Sequence, residues 1–202
     1  MALRYLALGD SYTIGEAVAY EQNFPNQLVR LLNENGVEIS LEKLVATTGW
    51  TTQELLAAIT ADTFNAPYDF VTLLIGVNNQ YRQKNTDGYA ESFETCLQKA
   101  IEFAGGNVKR VLVVSIPDYG VTPFGKYDAV TSAQIDEYNA INLSISEQYG
   151  VYYADINPVS KKAKEDVGLL AEDKLHPSAA QYTDWVNVIY PVAKDLLTAL
   201  NK

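Results

Sequence analysis

The chain contains a single histidine, His176, set in the stretch AEDKLHPSAAQ. Histidine is the one side chain whose ordinary pKa lets it take up and release a proton near neutral pH. Asp173 stands three residues before it, close enough within one loop to accept a hydrogen bond from ring Nδ1. That would leave Nε2 free to work on a nucleophile. The plain alternative is a solvated histidine ahead of a helix that begins at Pro177 and Ser178.

The partners such a base needs are present elsewhere. Ser11 lies in GDSYTIGE, Gly49 in TTGWTT, and Gly76 and Asn78 in GVNNQ. Taken singly they read as a helix cap, a turn glycine and a loop amide. Taken together they form the kit of serine hydrolysis. Ser11 is the nucleophile, His176 the general base and then acid, and Asp173 the group that fixes the imidazole tautomer. The backbone N–H groups of Ser11 and Gly49, with the side-chain amide of Asn78, supply three donors for a developing oxyanion. The G-x-S-x-G elbow of the α/β-hydrolases is absent, because GDSYT carries threonine in its last position.

These groups meet only if the fold brings them to one edge, and the hydrophobic pattern predicts that it does. RYLALGDS, VEISLEKLVA, DFVTLLIG, RVLVVSIP and VYYADI read as strands. They alternate with helices over FPNQLVRLLNENG, TTQELLAAI, GYAESFETCLQKAIEFAGG, SAQIDEYNAINLSISEQYG and Pro177 to Leu200. GVNNQ reads as part of a polar loop. Strand–helix alternation with right-handed crossovers implies an α/β fold, a five-stranded parallel sheet of flavodoxin-like order 2-1-3-4-5 between helical layers. Ligands in such sheets bind beyond the carboxyl ends of the strands, where the segments holding Ser11, Gly49, Asn78, and Asp173 with His176 all emerge.

In these blocks the sequence resembles the SGNH hydrolases, also called GDSL-type esterases and lipases. GDS spans Gly9 to Ser11, Gly49 is the second-block glycine, GVNN at Gly76 to Asn79 stands for G-x-N-D, and DKLHPS at Asp173 to Ser178 stands for D-x-x-H. The resemblance covers almost the whole chain. It implies a three-layer α/β/α sandwich and an ester hydrolase that works through an acyl-enzyme without a cofactor. Two positions depart from the pattern. Tyr12 replaces the leucine of GDSL, and Asn79 replaces the acid of G-x-N-D, which is expected to alter how that loop is braced.

Composition sets the outer limits. The 202 residues are 48% hydrophobic and 20% charged, the profile of one globular domain over residues 1–202. No apolar run approaches the roughly 18 residues of a membrane span, so no stable membrane insertion is expected. A formal charge of -10 repels phosphate backbones and argues against nucleic acid as a partner. With one histidine and no cysteine cluster, no metal site is expected. Cys96, the only cysteine, lies among helical apolar positions and reads as a buried thiol. The N-terminus lacks the pattern of a signal peptide, so the expected location is cytoplasmic if Met1 is the native start.

The expected substrate is a small-molecule ester of a short, acetyl-type acyl group. Tyr119, Phe124 and Tyr127 in IPDYGVTPFGKYD, together with Asp10 beside the nucleophile, are the candidates for its pocket. The competing class is a binding domain without chemistry. A phosphoacceptor domain would need an acid where strand three runs into GVNN, whereas a carbohydrate-binding module could draw on the 14 tyrosines. An intact Ser, Asp and His set has no use in such a module.

Overall fold

The structure, a computed structural model, describes residues 2–199. Among these residues five strands form one parallel sheet: β1 Leu3–Asp10, β2 Ile39–Thr47, β3 Phe70–Leu74, β4 Val111–Val114 and β5 Tyr152–Ala154. Their order is β2-β1-β3-β4-β5, as expected from the sequence. Every residue of β3 and β4 is buried, which is why these strands are unbroken apolar runs: helices cover both faces. The edge strand β2 alternates instead, with exposed residues along its length.

The helices are α1 Ser11–Ile14, α2 Phe24–Glu34, α3 Thr52–Ala61, α4 Val77–Gln83, α5 Tyr89–Phe103, α6 Ala129–Tyr149, α7 Asn157–Ser160 and α8 Ala179–Ala199. α2 packs against α8, while α3 packs on α5 and α5 on α6. Those are the two outer layers that right-handed crossovers of this strand order require. Trp185 and Tyr182 of α8 are completely buried, as are Phe24 and Leu28 of α2. No described helix is long and apolar enough to cross a membrane.

Local chemistry starts the helices. The Asn23 side chain accepts from the Asn26 N–H at 3.0 Å and Pro25 sits in the first turn of α2. Thr51 and Glu54 form a capping box on α3, with the Thr51 N–H donating to the Glu54 carboxylate at 2.7 Å. α6 begins ahead of the expected Ser132 because the Asp128 carboxylate accepts from the N–H groups of Val130 and Thr131. α8 begins after Pro177, which pairs instead with Leu170 in an antiparallel bridge. It then runs on through Pro191 to Ala199. Leu200, where that helix was expected to end, lies outside the described residues.

The segment expected to be a polar loop is helical. α4 has no apolar period, and polar bonds hold it in place. Asn79 accepts from the Thr52 N–H at 3.0 Å and donates to the Thr52 hydroxyl at 2.8 Å, while Gln80 bonds Gln134 and Tyr119.

Strand register sets the rim. Gly9 of β1 lies opposite Ala46 of β2 and Leu74 of β3. The three chains therefore leave the sheet side by side, delivering Ser11, Gly49 and Asn78 to one edge.

Candidate active site

Ser11 is the first residue past β1 and the first of the one-turn helix α1. Asp10 caps that turn, its carboxylate accepting the Tyr12 N–H at 3.0 Å, and Gly15, with φ 82°, closes it. The turn folds tightly back over the sheet. A Cβ on Gly9 would lie 2.1 Å from the Thr13 hydroxyl and 2.5 Å from the Leu74 carbonyl, so only glycine admits this path.

His176 meets Ser11 from the far end of the chain. Its Nε2 is 3.0 Å from Ser11 Oγ and its Nδ1 is 2.6 Å from Asp173 Oδ2. The other Asp173 oxygen accepts the backbone N–H groups of Leu175 and His176, each at 2.9 Å. This loop turns through Lys174, whose φ of 58° is left-handed. It is tied down where the Ala171 N–H donates to the His176 carbonyl at 2.8 Å. Burial by itself pushes the Asp173 carboxyl up, but the bonds from the imidazole and the two backbone N–H groups hold it below the usual carboxylate range. The Tyr12 ring backs the imidazole, centroid to centroid 4.9 Å, and itself stacks on Trp185.

Gly49 and Asn78 face the same cleft. Gly49, with φ 83°, is fixed through its carbonyl, which accepts from the Arg82 guanidinium. Its N–H makes no hydrogen bond among the described residues. Asn78, in the first turn of α4, donates one amide hydrogen to the Trp50 carbonyl at 3.0 Å, and its nitrogen lies 3.5 Å from Asp10 Oδ2. α4 approaches so closely that a Cβ on Gly76 would sit 2.2 Å from the Tyr89 hydroxyl.

The cleft has a volume of about 140 Å³ and is lined by Ser11, Gly49, Asn78 and His176. Its walls are Tyr12, Val77, Tyr81, Tyr119, Phe124 and Leu175. Of the residues expected in the pocket, Tyr119 and Phe124 line this cleft, and Tyr127 and Asp10 do not. Tyr127 faces a separate cavity beside Asp118, because the loop carries it past the cleft. Asp10 has no exposed surface and lies beneath the site as a cap and as a neighbour of Asn78. Desolvation drives its carboxyl up to about 7, against the bonds it accepts from Tyr12 and Asn78. Tyr81 is the wall residue that sequence reasoning missed, since it rides on the helix read as a loop. No group of three or more His, Cys, Asp or Glu side chains able to hold a metal occurs among the described residues.

Comparison with known proteins identifies the family and the fold. The model of the GDSL-like Lipase/Acylhydrolase family matches residues 7–183. Among solved structures, the chain is similar to LAE5, an alpha/beta hydrolase enzyme from the metagenome of Lake Arreo, Spain. That match has 19% identity and a TM-score of 0.74, over 97% of this chain and 98% of that one. The lipase/acylhydrolase from Enterococcus faecalis matches at 19% identity and a TM-score of 0.75, over 96% of both chains. Axe2, an acetylxylan esterase from Geobacillus stearothermophilus, matches at 17% identity and a TM-score of 0.71, over 96% of this chain and 94% of that one. At these identities the likeness is one of fold. No curated protein sequence matches the chain.

Proposed function

The chain belongs to the GDSL-like lipase/acylhydrolase family and is a carboxylic ester hydrolase, and from this premise we propose that it cleaves short-chain, acetyl-type esters of small neutral alcohols through an acyl-enzyme. One observation carries the reading: the continuous relay from Ser11 Oγ to His176 Nε2 at 3.0 Å, and from His176 Nδ1 to Asp173 at 2.6 Å. Ser11 attacks the ester carbonyl as His176 Nε2 takes its proton, and Asp173 keeps the other ring nitrogen protonated and stabilises the imidazolium. The negative charge on the carbonyl oxygen is received by the N–H groups of Ser11 and Gly49 and by the Asn78 amide hydrogen that otherwise makes the long 3.5 Å contact to Asp10. His176 then gives the proton to the departing alkoxide, and water, activated by the same nitrogen, releases the acid.

The choice of a small neutral ester rests on the cleft. Its volume is modest, its walls are aromatic and aliphatic, and among the described residues His176 is the only ionisable side chain lining it besides tyrosine. With a net charge of -10 around it, the site offers nothing to recognise a phosphorylated carrier. The similarity to an acetylxylan esterase is in keeping with an acetyl group.

The test is hydrolysis of p-nitrophenyl acetate and its longer acyl homologues by the wild type and by Ser11→Ala. Among the described residues the Ser11 hydroxyl bonds only His176, so the variant should fold as the wild type does. Turnover of the acetate should fall by about four to six orders of magnitude. Equal turnover by the two proteins would remove Ser11 from the chemistry.

A further inference from the structure

A second cavity, of about 260 Å³, lies on the other side of the loop that follows β4. It is larger than the ester cleft and far larger than the roughly 10–15 Å³ of such volume that holds one water. Asp118, Gly120, Tyr127, Ser132, Lys161 and Lys164 line it. None of them takes part in the chemistry assigned to Ser11.

Asp118 is the unusual member. It is 2% exposed, and one oxygen accepts the Gly120 N–H at 2.8 Å. Its other oxygen, Oδ2, is buried and meets no donor in hydrogen-bond geometry among the described residues, and the carboxyl's nearest hydroxyl neighbour is Ser132 on the cavity wall. A buried carboxylate oxygen left in this way is costly unless something donates to it. The nearest cation, Lys161, is 3.9 Å away and is held by Asp136 at 2.7 and 3.0 Å. The rim is also constrained. Lys126 and Tyr127 are consecutive non-glycine residues in the left-handed region, φ 58° and 54°, a conformation that persists only where the surroundings enforce it. It holds the Tyr127 ring at the cavity with half its surface exposed.

The charges select the ligand. Asp118 and Asp136 balance Lys161 and Lys164, so an anion meets two carboxylates and a cation meets two ammonium groups. A neutral molecule rich in hydroxyls satisfies both sets, donating to Asp118 Oδ2 and accepting from the lysines, while its C–H face lies on the Tyr127 ring. We infer that the Asp118 cavity is a saccharide-binding site, separate from the ester cleft and independent of whether that cleft hydrolyses anything.

The test is calorimetric titration of the whole chain with cellobiose, xylobiose and lactose, with inorganic phosphate and glycine as competing chemistries. At least one disaccharide should bind with a Kd of about 1 mM or tighter. Asp118→Asn and Tyr127→Ala should each weaken it at least tenfold, and Ser11→Ala should leave it unchanged. Tyr127→Ala and Lys164→Ala alter exposed side chains, so they keep the test decisive if Asp118→Asn unfolds. No heat with any disaccharide at tens of millimolar, or binding untouched by Tyr127→Ala, overturns the proposal. So does preferential binding of phosphate lost in Lys164→Ala, which marks an anion site, or of glycine lost in Asp118→Asn, which marks an amino-acid site.

Discussion

Asp173 holds His176 at two points, one carboxylate oxygen on the histidine's backbone N–H at 2.9 Å and the other on its ring Nδ1 at 2.6 Å. The same side chain therefore shapes the loop and orients the imidazole within it. The two roles separate on substitution. In Asp173→Asn the amide oxygen still accepts the backbone N–H groups, but the amide NH₂ facing Nδ1 moves the ring proton to Nε2, where it blocks transfer from Ser11. We expect kcat/KM for p-nitrophenyl acetate to fall about 10⁴-fold with the melting temperature nearly unchanged. A loss below tenfold in the folded variant would take Asp173 out of the relay.

Asn78→Ala removes one of the proposed oxyanion donors and leaves Ser11, His176 and Gly49 in place. Since that donor acts on charge that develops in the transition state, the loss belongs in kcat, at about 10²- to 10³-fold, with KM changed less than threefold. Steady-state kinetics on the acetate separates the two, and a change confined to KM would assign the amide to ground-state binding.

Asp10 is expected to make stability depend on pH. Its carboxyl is raised from 3.8 to about 7 by desolvation, so between those pH values the folded chain binds the proton that the unfolded chain has released. Stability from this group is therefore complete below about pH 4 and declines as pH rises through 7, by roughly 4 kcal/mol at most. Asp10→Asn should raise the melting temperature relative to wild type at pH 8 and lose that advantage at pH 4. Equal differences at both pH values would show that Asp10 is not a buried charge.

On the proposed function, the aromatic wall of the cleft is expected to contact the substrate and to leave the bond-making alone. Tyr81, Tyr119 and Phe124 have ring centroids within 6.0 to 6.5 Å of one another, and Tyr81 and Phe124 are about half exposed at the mouth. Phe124→Ala should lower kcat/KM for 2-naphthyl acetate about tenfold and for ethyl acetate less than threefold. Equal effects on both esters would mean that the ring supports the loop alone.

The sheet and its order were legible because buried parallel strands are written as apolar runs such as FVTLL and VLVV. Ser11, Gly49, Asn78, Asp173 and His176 could be placed at its rim for the same reason. What the sequence concealed was structure made by polar bonds. α4 shows no apolar stripe because Asn79 and Gln80 are buried through hydrogen bonds, and Tyr81 was lost with it. Asn79 also explains its own departure from the G-x-N-D pattern: its amide accepts from the Thr52 N–H and donates to the Thr52 hydroxyl, clamping α4 to the start of α3. Tyr127 lines a different cavity because two left-handed residues in succession are not anticipated from lysine and tyrosine, and Asp10, a pocket candidate in the sequence, is buried as the cap of α1.

The contact between Ser11 and His176 joins residues 165 positions apart. Closing a loop of that length carries an entropic cost, and contacts of such separation slow folding. On the proposed chemistry, Ser11 is an ordinary alcohol until the His176 loop docks, inert toward acylating and phosphonylating reagents because no base is at hand. The serine is thus a built-in clock for refolding: pulses of a fluorescent phosphonate, given at intervals after dilution from denaturant, would mark the moment at which the two ends of the fold come together.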